Sequence, residues 1–138
     1  MGYQMPRVAG SSMFGSTWPG SSVETSISSV TLGGRVAETA GFIRERVPPS
    51  RRDAPSMVGL IDAWWPTLFS IDETFRPMAT ISFMAELLVE PTDLDASERL
   101  FHRARMVSLT DGFFVEFREL WSGDVCVAMN QQTFAVLR

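Results

Sequence analysis

The chain has 138 residues, 45% apolar and 11% aromatic, which suits one domain with a single sizeable core and argues against disorder. All twelve basic residues are arginine, so Schiff-base catalysis and a phosphate-loop lysine are both excluded. A net charge of -4 speaks against nucleic acid as a partner, the lone Cys126 forms no internal disulfide, and the lone His102 supplies no histidine pair for a metal.

Residues 1–22 are rich in Gly and Ser without a regular period, and are expected to form a loosely held arm ahead of one domain over 23–138. Val23 to Leu32 and Arg35 to Arg46 read as two strands joined by a turn at Gly33-Gly34. The prolines between Val47 and Pro55 break regular structure, and Asp53 or Ser56 is placed to cap a helix beginning there. Met57, Ile61, Trp64 and Leu68 recur at spacings of three and four, and Val58, Leu60, Trp65 and Phe69 widen that stripe. This predicts a helix over 57–69 that is buried on most sides. Pro66 cannot donate to the carbonyl of Asp62, so a kink is expected there. Asp62 is the sole carboxylate of the stretch, and an unpartnered buried carboxylate is costly unless it has a use.

Four further strands are predicted: Met78 to Glu90, Arg99 to Ser108, Phe113 to Trp121, and Val125 to Leu137. Asp111-Gly112 and Ser122-Gly123-Asp124 are tight-turn signals, so the last three strands should form an antiparallel meander. Alternation from Met78 to Glu90 puts Ala79, Ile81, Phe83, Ala85, Leu87 and Val89 on one face, with Thr80, Ser82, Glu86 and Glu90 on the other. The sum is an α+β domain: a long antiparallel sheet of five or six strands wrapped round one apolar helix.

Among residues with chemistry, His102 sits in a strand pattern with no nucleophile elbow nearby and reads as a strand-face histidine, while Cys126 behaves as a small apolar residue. Zinc and iron ligand sets are missing, as is a glycine-rich strand-to-helix turn, so no metal or redox cofactor is expected. Arg44, Arg46, Arg51 and Arg52 cluster near the helix start. They fit a phosphate-bearing ligand, or equally a solvated loop ion-paired with Glu45 and Asp53. No apolar run approaches the roughly 20 residues that span a bilayer. The first twenty residues lack a signal-peptide pattern, and the expected location is a reducing cytoplasm, with no membrane partner.

The segments Gly34-Arg35-Val36-Ala37-Glu38, Gly41-Phe42-Ile43-Arg44, Leu60-Ile61-Asp62, Ala79-Thr80-Ile81 and Val127-Ala128 followed by Gln132 occur in this order. Together they resemble the type II acyl-CoA thioesterase family of hotdog-fold proteins, in particular the second of its two hotdog repeats, over roughly residues 23–137. The resemblance implies a single hotdog domain and a water held by an aspartate, a threonine and a glutamine, positions matched here by Asp62, Thr80 and Gln132. It further implies an acyl thioester substrate, with acyl-CoA the expected form, and Arg44, Arg51 and Arg52 as candidate contacts to its phosphates. Many relatives carry basic residues or histidine where this chain has Glu86 and Glu90. Because the chain holds one repeat, a homodimer or dimer of dimers is expected to cover the open sheet edge. Two rival readings are a non-catalytic hotdog protein that binds an acyl or other apolar ligand, and a hotdog hydratase or dehydratase, whose chemistry pairs a histidine with a carboxylate.

Overall fold

Seven antiparallel strands form one sheet in the computed structural model, which describes residues 14–16, 23–30, 37–72 and 76–137. The strands are β1 (Phe14–Ser16), β2 (Val23–Val30), β3 (Glu38–Glu45), β4 (Met78–Leu87), β5 (Leu100–Thr110), β6 (Phe113–Ser122) and β7 (Val125–Val136). Their order across the sheet is β1-β2-β3-β5-β6-β7-β4. β1 lies inside the stretch expected to be a loose arm and pairs with β2, which takes the strand count past the expected six. The Gly33-Gly34 turn, and the rest of the arm, lie outside the described residues.

The β5–β6–β7 meander follows the predicted turns. Asp111 (φ 53°) and Gly112 (φ 82°) both occupy the left-handed region that a two-residue hairpin turn requires, and Gly123 (φ 53°) does so in the next turn. The helix differs from expectation. It is α1, Ala54–Asp62, and it stops at Asp62 instead of running to Phe69 with a kink. Asp53 caps its start, its Oδ1 accepting from the Ser56 amide at 2.9 Å. At the other end Pro66 has no N–H to continue the ladder and disfavours a helical Trp65, so the chain leaves the helix and resumes as a 3-10 helix at Thr67–Ser70.

One face of the sheet receives α1. Met57, Leu60 and Ile61 of the helix, with Trp64 beyond it, pack on Ile43, Leu100, Leu120, Val127 and Ala128. Val58, Gly59 and Asp62 stay outside, so the helix is amphipathic and not buried all round. Ala40, Phe101 and Trp121 form a smaller cluster on the opposite face. Leu68, Phe114 and Phe134 form a third under the 3-10 helix, with the two phenyl rings stacked at 4.6 Å.

β4 is the sheet's edge, and its apolar residues are open: Ile81 is 59% and Met84 53% exposed. Simple alternation fails there for a second reason. Thr80 pairs with Phe134 and Ser82 with Thr133, so Ile81 is an extra, bulged residue. On one side of the bulge Phe83, Ala85 and Leu87 face the helix side as predicted. On the other side the bulge brings Thr80 and Met78 to that face in place of Ile81 and Ala79.

Two glycines give opposite stability outcomes. Gly59 is inside α1 with open space where a Cβ would stand, so Gly59→Ala should raise the unfolding free energy by about 0.5–1 kcal/mol. Gly112→Ala forces a side chain into the left-handed region and should lower it by about 1 kcal/mol. Urea unfolding of both variants checks the pair.

Candidate functional site

The end of α1, the bulge of β4 and the middle of β7 meet at one point. Asp62 is the last residue of α1, and its side chain is 54% exposed, not buried as its apolar sequence surround implied. Gln132 is 2% exposed on the helix-facing side of β7. Its Nε2 donates to Thr80 Oγ1 at 3.0 Å and lies 3.4 Å from Asp62 Oδ1, at the long end of a hydrogen bond. The three residues named by sequence are therefore gathered round one amide. The Gln132 Oε1 is buried without a hydrogen-bond partner in the protein.

Thr80 reaches this point because of the bulge. With Ile81 skipped, Thr80 shares the face of Phe134 and Gln132; a regular strand would turn it away. The same alternation carries Glu86, paired with Met129, onto the opposite face from Gln132. That acidic side chain does not meet a ligand held at Asp62.

Sequence reasoning missed Arg118 and Glu116. They alternate with Phe114 and Leu120 on the core face of β6, and both are buried. Arg118 donates through Nη1 to the carbonyls of Ile61 (3.1 Å) and Asp62 (3.0 Å), and the same nitrogen lies 3.5 Å from Asp62 Oδ1. Its Nε and Nη2 both meet Glu116 Oε1 at 2.6 Å. Glu116 Oε2 in turn accepts from the Thr67 amide (2.9 Å) and hydroxyl (2.7 Å). A cation at a helix C-terminus satisfies carbonyls that have no helical donor and opposes the dipole. The available signal was two opposite charges at i and i+2 on an otherwise apolar strand face.

His102 is brought beside the same helix end but is unsuited to proton transfer. It is buried, stacked on Trp64 at 4.9 Å, with Nε2 placed to donate to the Ile61 carbonyl at 3.2 Å. Burial first, and the Arg118 charge second, lower its pKa from 6.5 to about 3. A hydratase-like role for it has no support. Burial, helped by Glu119, pushes the Cys126 thiol up to about 11, which makes it a poor nucleophile.

The arginine cluster divides. Arg52, expected as a phosphate contact, is fully buried and donates to the carbonyls of Ala96 (3.1 Å) and Glu98 (3.0 Å), beside Glu45. It ties the 91–99 loop to the helix start and is withdrawn from any ligand. Arg51 is exposed and Arg44 half-buried on β3. Arg51 lies just ahead of α1, roughly 12 Å along the helix from Asp62, whereas Arg44 alternates with Ile43 and shares the sheet face of Ala40 and Phe42, opposite the helix. Among the described residues no group of three or more His, Cys, Asp or Glu side chains is placed to hold a metal, and no helix is long and apolar enough to cross a membrane.

A family model for the acyl-CoA thioesterase C-terminal domain matches residues 11–136. Three solved structures are similar. A conserved protein of unknown function with a hot dog fold from Alicyclobacillus acidocaldarius has a TM-score of 0.81 at 20% identity, over 100% of this chain and 56% of its own. A proposed thioesterase II from Thermobifida fusca YX has a TM-score of 0.65 at 23% identity, over 85% of this chain and 46% of its own. A conserved protein from Pseudomonas aeruginosa has a TM-score of 0.59 at 22% identity, over 83% and 88%. The chain thus spans about half the length of the first two, and the fold is the hotdog fold. No curated protein matches the sequence.

The buried histidine fixes one pH response. As pH falls, the unfolded chain takes up a proton near 6.5, whereas folded His102 does so only near about 3. Its contribution to stability is therefore intact above pH 6.5 and is lost progressively from there towards pH 3, by about 1 kcal/mol per pH unit. Unfolding measured between pH 7 and 4 should show a shallower decline in His102→Phe, which keeps a ring against Trp64 and removes the titration.

Proposed function

This chain belongs to the acyl-CoA thioesterase C-terminal domain family, and from that premise we propose that it is an acyl thioester hydrolase using water activated by Asp62, Thr80 and Gln132. The observation that carries this reading is the Gln132 amide lying between the Thr80 hydroxyl and the Asp62 carboxylate. Gln132 Nε2 donates to Thr80 Oγ1, which leaves the threonine proton free to meet a water oxygen. Gln132 Oε1 is buried away from solvent, so the amide acts through Nε2, holding the Thr80 hydroxyl and the Asp62 carboxylate on either side of the water. Asp62 takes one proton of that water as its oxygen attacks the thioester carbonyl, and the second proton stays on the attacking oxygen. The tetrahedral oxyanion collapses with loss of thiolate, which receives the proton held by Asp62, giving carboxylic acid and thiol.

The expected substrate is an acyl-CoA. A cleft of about 620 Å³ lined by Leu68, Leu109, Val136 and Leu137, and also by the ion-paired Asp72 and Arg76, begins one pleat beyond Phe134, the residue paired with Thr80, and its apolar side is the candidate site for the acyl chain. A homodimer is also part of this reading. β4 presents an unpaired edge with Ile81, Phe83 and Met84 exposed on it, and a second copy would bury both the edge and the open side of Asp62.

Two measurements test this. With a panel of straight-chain acyl-CoA esters, Asp62→Asn should lower kcat by about 10²- to 10⁴-fold, the usual worth of a general base, and Thr80→Val or Gln132→Ala by about 10- to 100-fold. Tight acyl-CoA binding by the unaltered protein with no turnover overturns the hydrolase in favour of the binding module. Sedimentation should give a dimer that Met84→Glu or Ile81→Glu converts to monomer; a monomeric wild type contradicts the edge pairing.

A further inference from the structure

Glu116 and Arg118 stand where an apolar pair would be expected. Among the described residues theirs is the ion pair with both side chains buried, 0% and 1% exposed, in the core face of β6. Replacing a buried ion pair with neutral residues of similar volume is often neutral or stabilising, so fold stability alone gives weak reason for this pair. Its contacts are concentrated on a few residues: Arg118 meets the Ile61 carbonyl, the Asp62 carbonyl and Asp62 Oδ1, while Glu116 grips Thr67 on the far side of the break in the helix. The pair thus clamps residues 61–62 and residue 67 to one strand, whose register partner at Glu116 is Gln132.

We propose that Arg118 is a positioning residue for Asp62, with Glu116 orienting Arg118. This rests on Asp62 being the water-activating group. Arg118 fixes the helix end through two carbonyls and, together with Gln132, draws Oδ1 of the carboxylate inward, which presents Oδ2 to the water. Without the clamp, the exposed aspartate at a frayed helix end samples many rotamers, and only a fraction of them are productive.

The test compares the wild type with the double variant Glu116→Gln plus Arg118→Met. The amide oxygen introduced at position 116 still accepts from Thr67, and no charge is left buried alone. The variant should stay folded, with an unfolding temperature lowered by the donor lost to the Ile61 and Asp62 carbonyls, and should lose about 100-fold in kcat on acyl-CoA esters with KM within about threefold, a loss of the size that misplacement near 1 Å produces. Placed on Asp62→Asn, the same double change should cost no further activity, because it acts through Asp62. If the double variant does not fold, Arg118→Lys takes its place in the same cycle. The Asp62 ¹³Cγ resonance should move or broaden in the variant, a readout that does not need turnover. An equal loss of activity in both backgrounds, or an unmoved Asp62 resonance, overturns the proposal. A wild type inert towards every acyl-CoA overturns the hydrolase reading, and the resonance alone then decides whether Arg118 positions Asp62.

Discussion

A short helix that ends against a sheet must find donors for its last carbonyls, and this requirement shapes the centre of the molecule. α1 stops at Asp62 because Pro66 withholds the next amide, leaving the carbonyls of Ile61 and Asp62 beside β5 and β6. Arg118 answers both and His102 answers the first. Meeting that need with a cation places a guanidinium beside the Asp62 side chain, and meeting the cation's need for a counter-charge places Glu116 beside Thr67. The helix end, the following turn and the middle of the sheet thereby become one rigid unit.

The proposed function depends on how two irregularities face each other. The helix break exposes Asp62 at the edge of the core, and the bulge at Ile81 turns Thr80 to meet it across Gln132. Either feature alone would leave the glutamine with one partner. The arrangement sits by the open edge strand β4, where apolar side chains and unpaired backbone groups lie beside a half-exposed carboxylate. Solvent reaches Asp62 there, and a second sheet pairing with that edge would reduce its access.

Much of this was legible in the sequence. The period-two strands of the meander, the Asp111-Gly112 turn, one helix starting behind the Asp53 cap and the hotdog order were predicted, and the structure and the similar folds agree. Asp62, Thr80 and Gln132 were chosen by resemblance and are found together. What failed was any inference that assumed regular geometry. Counting alternate residues along β4 placed Thr80 on the wrong face, since one inserted residue reverses the parity of everything beyond it. Hydrophobic spacing extended the helix through Pro66, although the apolar residues beyond Asp62 are buried by Trp64 and a 3-10 helix in a different direction. Arg52 was grouped with its exposed neighbour Arg51 because charge suggests solvent, yet its guanidinium serves the carbonyls of a loop 44 residues away. Glu116 and Arg118 went unnoticed for the same reason, as strand charges are ordinarily assigned to the wet face.

The most direct measurement is a crystal structure of the protein with a non-hydrolysable thioether analogue of an acyl-CoA. The hydrolase mechanism requires an ordered water roughly 2.6–3.2 Å from both the Asp62 carboxylate and Thr80 Oγ1, facing the carbon that replaces the thioester carbonyl. An analogue seated away from these residues, or an Asp62 turned wholly onto Arg118 with no water beside Thr80, would contradict it.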